Sequence, residues 1–508
     1  MSACLSFPMS RLWSGKGFHF NAETQRRGGR REFPIRESIP ALAVAPTFSL
    51  RPLRLCVSAF RKKRAAQRGS VLIVVLWASV GLVSIALLLG HSMVMSYRGA
   101  DNDLAGRQAD QVIEGAVRYA ESLLVNPTTP GVLPEATSYQ GEAVVVGEAE
   151  FWFFGTPADT TSGTKDEYGL VDEAAKLNIN TATLAMLKAL PGMTDDFAAA
   201  IIDWRDADDD VTPGGAESST YAQKKPAYKA KNAPFESIEE LALLNGATRE
   251  ILYGEDANLN GVLDPNEDDG EKNLPTDNSD GKLDAGILAY VTVFSREPNK
   301  QADGTARINI NQPGPKAALE KLLTDKLGAA RSAQILAGIG PAPMRSVLEF
   351  FYRAVSTTGM KEDEFAKLSD ALTATTGDYV PGLINVNTAS AMVLACVPGI
   401  GEENSAKLVA ARLNRTPKDA SIAWVVAALG SASPAAVEAG PYLTGQSWQA
   451  GADVAAVGRH GRGYRRTKFV IDTSTGTPRI IYRRNLAPLG WALGSDVRQS
   501  FATQKEAK

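Results

Sequence analysis

An acidic segment in the middle of the chain carries oxygen ligands at the spacing of a calcium-binding loop. Residues 256–267, DANLNGVLDPNE, follow the pattern D-x-N-x-N-G-x-x-D-x-x-E. Such a loop presents oxygen atoms from positions 1, 3, 5, 7, 9 and 12, and a glycine at position 6 lets the backbone turn sharply. The predicted ligands are Asp256, Asn258, Asn260, the carbonyl of Val262, Asp264 and, bidentately, Glu267. The alternative is a solvated acidic insertion that holds no ion.

Two further acidic segments are weaker candidates for calcium. Residues 277–284, DNSDGKLD, resemble a second loop that is one residue too short for the standard spacing. Its candidate ligands are Asp277, Asp280 and Asp284. The run DWRDADDDVTPGGAESSTY offers a third set, consisting of Asp206, Asp208, Asp209 and Glu217. The alternative for the third set is a loop whose acids cap helices, form turns and face solvent.

The sequence offers no pattern that indicates catalysis. The three histidines, His19, His91 and His460, lie in different regions without the spacing of zinc ligands. No G-x-S-x-G, Walker or G-x-G-x-x-G motif follows a predicted strand. Of the three cysteines, Cys396 alone lies after the apolar segment, so we expect a buried core thiol there rather than a disulfide. We therefore expect that the protein is not an enzyme.

The elements that position these loops begin with a membrane segment. Residues 70–90, SVLIVVLWASVGLVSIALLLG, carry no charge and are long enough to span a bilayer as a helix. The tract RKKRAAQRG precedes them, so the positive-inside rule predicts a cytoplasmic N-terminus and a soluble part on the other side beyond about Tyr97. Apolar residues at helical spacing continue to Leu124, which predicts one helix of about 80 Å ending near Asn126-Pro127. The alternative is a single-pass anchor followed by an unrelated helix.

The rest of the chain divides by pattern into strand-rich ends and a helical middle. Residues 1–69 are rich in Arg and without periodicity, as expected of a disordered extension, a cleaved leader or an over-extended gene start. β-Branched and aromatic runs predict one part of a sheet at 127–173 and another at 441–495, where TSTGTP forms a hairpin turn. Two helical modules, 174–300 and 301–440, lie between these two parts. The predicted helix at 70–126 precedes the first part of the sheet, and residues 496–508 form a tail. The predicted fold class is α+β, with a long transmembrane helix and an antiparallel sheet interrupted by a large helical insertion.

The helical middle contains an internal repeat. LNINTATLAMLKALPGMTDDFAAAIIDWR begins at Leu177, and INVNTASAMVLACVPGIGEENSAKLVAAR begins at Ile384. A degenerate copy, RINININQPGPKAALEKLL, begins at Arg307. Each full copy predicts two helices joined at a Pro-Gly turn, which is the helix-hairpin-helix pattern. The expected helix caps and turn glycines are Asn180 or Thr181 with Gly192, and Asn387 or Thr388 with Gly399.

The charges beside these turns argue against DNA binding. Hairpins of this kind bind DNA by presenting backbone N–H groups to a phosphate, and a basic residue should follow. Here Asp195 and Asp196 follow the first Pro-Gly, and Glu402 and Glu403 follow the second. These acids suit the helix dipole but would repel a phosphate. We therefore expect structural or interface hairpins and no nucleic-acid partner.

The junction between the basic leader and the apolar helix resembles the processing site of type IV prepilins and pseudopilins. The resemblance implies cleavage by a prepilin peptidase between Gly69 and Ser70. Pseudopilins usually carry Glu as the fifth mature residue, whereas this chain has Val74. An apolar residue there resembles the minor pseudopilin K, or general secretion pathway protein K, of type II secretion systems. The two hairpins are similar to the SAM-like modules of that family, whose helical domain is associated with Ca²⁺.

This resemblance implies a minor pseudopilin at the tip of the type II secretion pseudopilus that contributes to assembly and to protein export across the outer membrane. It implies a single-pass protein of the inner membrane with its bulk in the periplasm. The implied partners are other minor pseudopilins, the prepilin peptidase and the inner membrane, and the implied cofactor is structural Ca²⁺. One alternative is a membrane-anchored helix-hairpin-helix DNA receptor of the competence type. Another is a calcium-stabilised scaffold that is not processed as a pilin.

Overall fold

The computed structural model describes residues 70–155, 168–311, 316–413, 415, 420–430 and 433–506. The helices are α1 Ser70–Leu124, α2 Leu184–Lys188, α3 Asp195–Arg205, α4 Ser218–Tyr221, α5 Arg249–Tyr253, α6 Lys316–Leu327, α7 Ala329–Ile339, α8 Val347–Thr358, α9 Glu362–Ala366, α10 Ala391–Ala395, α11 Gly401–Arg412, α12 Trp424–Leu429, α13 Ala435–Ala439 and α14 Gly494–Glu506. The strands are β1 Val144–Val146, β2 Ala149–Phe154, β3 Val171–Asp172, β4 Leu177–Asn178, β5 Val291–Thr292, β6 Arg296–Pro298, β7 Ile308–Asn309, β8 Leu372–Thr373, β9 Tyr379–Pro381, β10 Ile384–Asn385, β11 Leu443–Thr444, β12 Gln449–Gly458, β13 Arg462–Asp472 and β14 Arg479–Asn485. The predicted leader, residues 1–69 with Gly69, lies outside the described residues.

The continuous pattern after residue 70 forms one helix, α1, of 55 residues. It ends at Leu124, just before the predicted end at Asn126-Pro127. In the described part of the chain, it is the one helix long and apolar enough to cross a membrane. Residues 70–79 and the described residues from 80 onward belong to two separate compact units.

The two strand-rich ends of the chain combine in one six-stranded antiparallel sheet. Its strand order is β1-β2-β12-β13-β14, and β3 also pairs with β12. The predicted hairpin joins β13 to β14, with Asp472 opposite Arg479. The sheet packs on the amphipathic part of α1 through a shared apolar core that includes Ala109, Ile113, Ala116, Val117, Ala120, Phe151, Phe153 and Val454. The predicted combination of an N-terminal apolar helix with an antiparallel sheet is confirmed.

Each copy of the internal repeat begins with a two-residue strand. This strand pairs in parallel with a second two-residue strand, the closing strand, further along the chain. Strand β4 pairs with β5, and β10 pairs with β11. The degenerate copy has the same arrangement, because β7 pairs in parallel with β8. Every closing strand consists of an apolar residue followed by Thr292, Thr373 or Thr444. The helical middle therefore contains three segments closed in the same way. Their helix-hairpin-helix or SAM-like identity, and the predicted boundaries at 174–300 and 301–440, stay predictions.

The predicted helix caps of the repeats were wrong. We expected them at Asn180 or Thr181 and at Asn387 or Thr388. Instead, the hydroxyl of Thr183 accepts a hydrogen bond from the N–H of Met186 at 3.3 Å and caps α2. Ser390 caps α10 through the N–H of Val393 in the same way. The capping hydroxyl lies two or three residues further along the chain than predicted, because the backbone at the predicted positions is still turning.

The first asparagine of each full repeat shapes that turn. Asn178 and Asn385 each accept a hydrogen bond from the backbone N–H two residues further on, at 2.9 and 3.1 Å. Side chains of this type offer the backbone an alternative to helix and so delay the helix start. The Pro-Gly turns are as predicted, because Gly192 has φ +64° and Gly399 has φ +82°, where glycine is favoured.

A buried carboxylate joins the sheet to the last copy of the repeat, which begins at Ile384. Asp172 in β3 accepts hydrogen bonds from the N–H of Ala174 at 2.7 Å and the amide of Asn385 at 2.8 Å. It also accepts from the hydroxyls of Thr388 and Ser447. Burial raises the pKa of Asp172, and these four donors oppose the shift. A buried acceptor with four converging donors fixes the relative position of the segments that supply them.

Asp172→Ala should destabilise the soluble part of the chain strongly. The buried side chains of Asn385 and Ser447 would lose this acceptor where water cannot replace it, and a buried unpaired donor costs about 1–3 kcal/mol. We expect the free energy of unfolding in urea to fall by about 3 kcal/mol or more. The control is Asp303→Ala, because Asp303 bonds an exposed turn and should contribute less than about 1 kcal/mol. Equal losses in the two variants would contradict the role given to Asp172.

Candidate metal sites

The structure assembles a tight carboxylate cluster in the segment that begins at Asp203. One oxygen atom each of Asp203, Asp206 and Glu217 lies within 4.8 Å of the other two. Asp203 lies in the last turn of α3, Asp206 follows that helix, and Glu217 directly precedes α4. The chain folds back between them at Gly215, where a Cβ atom would lie 2.1 Å from an oxygen of Asp203. A glycine is therefore required for this approach.

Two members of this cluster have carboxylate oxygens without a donor. Among the described residues, no hydrogen bond of acceptable geometry reaches either oxygen of Glu217 or the Oδ1 atom of Asp206, although all three atoms are buried. Burial, followed by the charges of Asp203 and Asp206, raises the pKa of Glu217 to about 7. A buried carboxylate without a partner is costly. Because Ca²⁺ prefers carboxylate oxygen ligands, these residues fit a calcium ion.

The structure brings together only some of the residues predicted for this set. Asp206 and Glu217 meet, whereas Asp208 accepts from the N–H of Asp210 at 3.0 Å and Asp209 accepts from the amide of Asn232 at 3.0 Å. Those two acids therefore shape the loop, as the alternative interpretation expected. Sequence reasoning missed Asp203 because it lies inside an amphipathic helix. Its spacing of three from Asp206 was the available signal, since residues three apart share a helix face.

The predicted loop at 256–267 closes on itself as a calcium-binding loop does. The carboxylate of Asp256 accepts from the N–H groups of Asn260 at 3.0 Å and Gly261 at 2.9 Å. Gly261 has φ +71° at the sharp turn. Glu267 reaches back across the loop and accepts from two backbone N–H groups, at 3.1 and 3.0 Å. Positions 1 and 12 of the pattern therefore both face the loop interior.

Asp264 lies between those positions and adds a third negative charge to those of Asp256 and Glu267. Asp264 accepts from the amides of Asn258 at 2.7 Å and Asn260 at 3.1 Å, and the N–H of Val262 bonds the side chain of Asn260. Burial, and then the charges of Asp256 and Asp264, raise the pKa of Glu267 to about 7. Among the described residues, however, only Asp203, Asp206 and Glu217 form a group of carboxylates within 4.8 Å of one another.

The shorter loop at 277–284 folds around local turns. Asp277 accepts from the N–H of Gly270 at 2.9 Å, Asp280 accepts from the N–H of Lys282 at 2.9 Å, and Asp284 accepts from the amide of Asn278 at 2.9 Å. The role that Glu267 has in the first loop falls here to Glu255. Glu255 accepts from the N–H of Asn278 at 3.2 Å and that of Asp284 at 2.9 Å. Sequence reasoning missed Glu255 because it precedes the first loop and is distant in sequence from the second.

The carboxylate cluster lies in a part of the chain that a known family shares. The family model described as type II secretion system (T2SS), protein K matches residues 167–253, which include β3, the first repeat copy and all three clustered acids. The predicted resemblance to type II secretion protein K is confirmed. The protein K of Pseudomonas aeruginosa is 29% identical over an alignment of 206 residues; the match covers 36% of this chain and 58% of that relative. The match thus spans little more than half of the relative's length.

One of the solved structures that match this chain has a low similarity score. It is the crystal structure of the GspK–GspI–GspJ complex from the type 2 secretion system of enterotoxigenic Escherichia coli. The match covers 75% of this chain and 96% of that chain, with a TM-score of 0.38 and 12% sequence identity.

In the absence of divalent cations, the soluble part should lose stability as the pH rises from about 5 to 8. The carboxyl of Glu217 has a pKa of about 7 when folded and 4.5 ordinarily. Between these values the folded state binds more protons, so stability falls with pH, and above the folded pKa the full penalty is present. Glu267 shifts in the same direction and adds to the slope.

Thermal melts in chelator at several pH values test this slope. Glu217→Gln should flatten it, whereas Glu402→Gln, at an exposed position, should leave it as in the parent chain. An unchanged slope in Glu217→Gln would show that this carboxyl does not titrate in the range.

Proposed function

We propose that this chain is a minor pseudopilin that acts at the tip of a type II secretion pseudopilus and contributes to protein export across the outer membrane. The observation that carries the proposal is the match to type II secretion protein K over residues 167–253. It occurs in a chain whose one membrane-type helix among the described residues continues into an amphipathic half that packs on an antiparallel sheet. The role is structural and involves no catalytic step.

The anchor supports a location in the inner membrane. The apolar run of α1 follows the basic tract RKKRAAQRG, so the N-terminus is cytoplasmic and the bulk is periplasmic. The prepilin peptidase cleaves between Gly69 and Ser70, and Ser70 then begins the mature helix. The membrane and the peptidase are thus the first partners of the chain.

Two features support the tip position. Val74 replaces the acid that would pair with the amino terminus of a neighbouring subunit, so that salt contact is lost. The helical region between β3 and β12 adds bulk that would block the addition of a subunit above. We infer that the partners are other minor pseudopilins below it. The competence-type DNA receptor is disfavoured by the match to protein K and by Asp195, Asp196, Glu402 and Glu403 at the turns.

We also infer that structural Ca²⁺ stabilises the helical region. Asp203, Asp206 and Glu217 would hold one ion, which would supply the positive charge that their buried oxygens lack. Asp256, Asp264 and Glu267, with the side-chain oxygens of Asn258 and Asn260 and the carbonyl of Val262, would hold another. The loop of Asp277, Asp280 and Asp284 is the weaker candidate, because each of these acids bonds its own turn.

The mature protein should begin at Ser70. Prepilin peptidases require a residue without a Cβ atom before the cut, so Gly69→Ala should leave most of the chain uncleaved. Mass spectrometry of the N-terminus of the membrane-derived protein measures both outcomes. A parent protein that retains residues upstream of Ser70 would contradict the pseudopilin assignment.

Calcium should raise the melting temperature of the soluble part, because an ion that binds only the folded state stabilises it. Glu267→Gln removes a charge from the bidentate position and should weaken binding at the loop more than Asn258→Ala does. Glu217→Gln should abolish binding at the other cluster and leave the loop site intact. Calorimetry and melting with Ca²⁺ or chelator measure these effects. Identical melting curves in both conditions would leave the loop as a solvated acidic insertion.

A further inference from the structure

We infer that the chain carries a basic collar that binds the anionic phospholipid headgroups of its own membrane. The collar consists of Arg98, Arg459 and Arg462. It joins the juxtamembrane part of α1 to the turn between β12 and β13. The inference rests on the proposed function in one respect, because it takes α1 as the membrane anchor. It assigns the soluble part a lipid contact during the period when the subunit still resides in the bilayer.

The turn between β12 and β13 is fixed onto α1 by charge and by close backbone packing. The guanidinium of Arg459 donates to Oδ1 of Asp101 at 2.9 Å, and that of Arg462 donates to the other oxygen of the same carboxylate. A Cβ atom on Gly458 would lie 2.2 Å from the carbonyl oxygen of Ala105. Glycine therefore allows the strand end to lie directly against the helix.

The position of this turn along α1 places it at the membrane surface. Residues Val71 to Tyr97 contain no Asp, Glu, Lys or Arg. As a helix they measure about 40 Å, which matches a bilayer of about 40–45 Å including its headgroups. Tyr97 suits the interface and Arg98 is the first charge beyond it. Asp101, with its two arginines, follows within about 5 Å along the helix axis.

The collar has more positive than negative charge. Within the described residues Arg98 is exposed and has no carboxylate within ion-pair distance, so Asp101 is the one acid that balances three arginines. The next acids along α1 are occupied by their own arginines. These pairs are Asp103 with Arg107, Asp110 with Arg465, and Glu114 with Arg483. His460 is exposed at the tip of the turn.

Phospholipid headgroups are the ligand that this arrangement favours. Arginine donates two parallel hydrogen bonds to a phosphate, and basic side chains beside a membrane helix are attracted to anionic lipid. An acidic surface of a neighbouring subunit would offer carboxylates instead. The lipid is favoured because the first unpaired charge, Arg98, immediately follows the apolar span. The competing protein contact is an outcome of the test below.

The test uses the full chain in nanodiscs of phosphatidylcholine with increasing proportions of phosphatidylglycerol. An environment-sensitive dye, attached through His460→Cys with Cys4 and Cys56 replaced by Ser, reports contact at the turn. Cys396 is buried and does not react. We expect a saturable change in emission as phosphatidylglycerol increases. In the double variant Arg98→Gln, Arg462→Gln, headgroup affinity should fall about fivefold for each arginine removed, so the response should stay unsaturated at the proportions that saturate the parent chain.

Arg479→Gln is the matched control, because it removes the same charge from the opposite end of β13–β14 and should leave the response unchanged. Co-elution of chain and nanodisc tests the anchor separately, so chains that do not co-elute overturn the anchor and the collar together. Among co-eluting chains, a dye that ignores phosphatidylglycerol, or a double variant that responds like the parent, overturns the collar alone. A response in pure phosphatidylcholine that grows with the number of chains per disc identifies a protein contact. That result also overturns the proposal that the collar binds lipid.

Discussion

A buried arginine holds the acidic part of the helical region against the sheet, and the arrangement of both depends on it. Arg466 in β13 is fully buried and bonds both oxygens of Asp453, at 2.9 and 2.7 Å. Two further N–H groups donate to the carbonyls of Asn258 and Leu259, each at 2.6 Å. A buried charge is tolerated only when it is paired and further hydrogen bonds stabilise it. The first part of the 256–267 loop therefore has one docked position on the sheet.

The requirement that a buried charge has partners also distinguishes two buried glutamates, Glu173 and Glu217. Burial raises the pKa of Glu173, but Lys176 and Lys468 outweigh it and lower that pKa to about 2. Burial also raises the pKa of Glu217, where no lysine or arginine opposes it and the neighbouring acids add to the shift. The first carboxylate is stabilised by cations of the chain itself. The second has no such partner among the described residues and would be stabilised by a proton or by an external cation, which makes the cluster at Asp203 the stronger candidate for a metal ion.

Patterns with a short period were predictable from the sequence. The long α1, the turn between β13 and β14, the glycine turns of the repeats and the closure of the 256–267 loop all follow from local spacing. The features that were missed depend on contacts between distant segments. Glu255 completes the second loop through residues 278 and 284, and Asp203 meets Glu217 only after the chain folds back at Gly215. The ladders closing each repeat were missed because a strand of two residues has no periodicity.

Those ladders also help to join the three repeat copies into one packed helical region. Thr292 in the first closing strand donates to Glu173 at 2.6 Å, beside the sheet. Thr444 in the third closing strand donates to Glu297 at 2.6 Å, and Glu297 also binds Arg307 at the start of the second copy. One apolar core runs through all three copies, from Ala175 to Leu443. The closing threonines of the first and third copies thus bind residues outside their own copies, and the shared core joins all three. A helical region packed in this way adds bulk as one unit, which is what the proposed tip position requires.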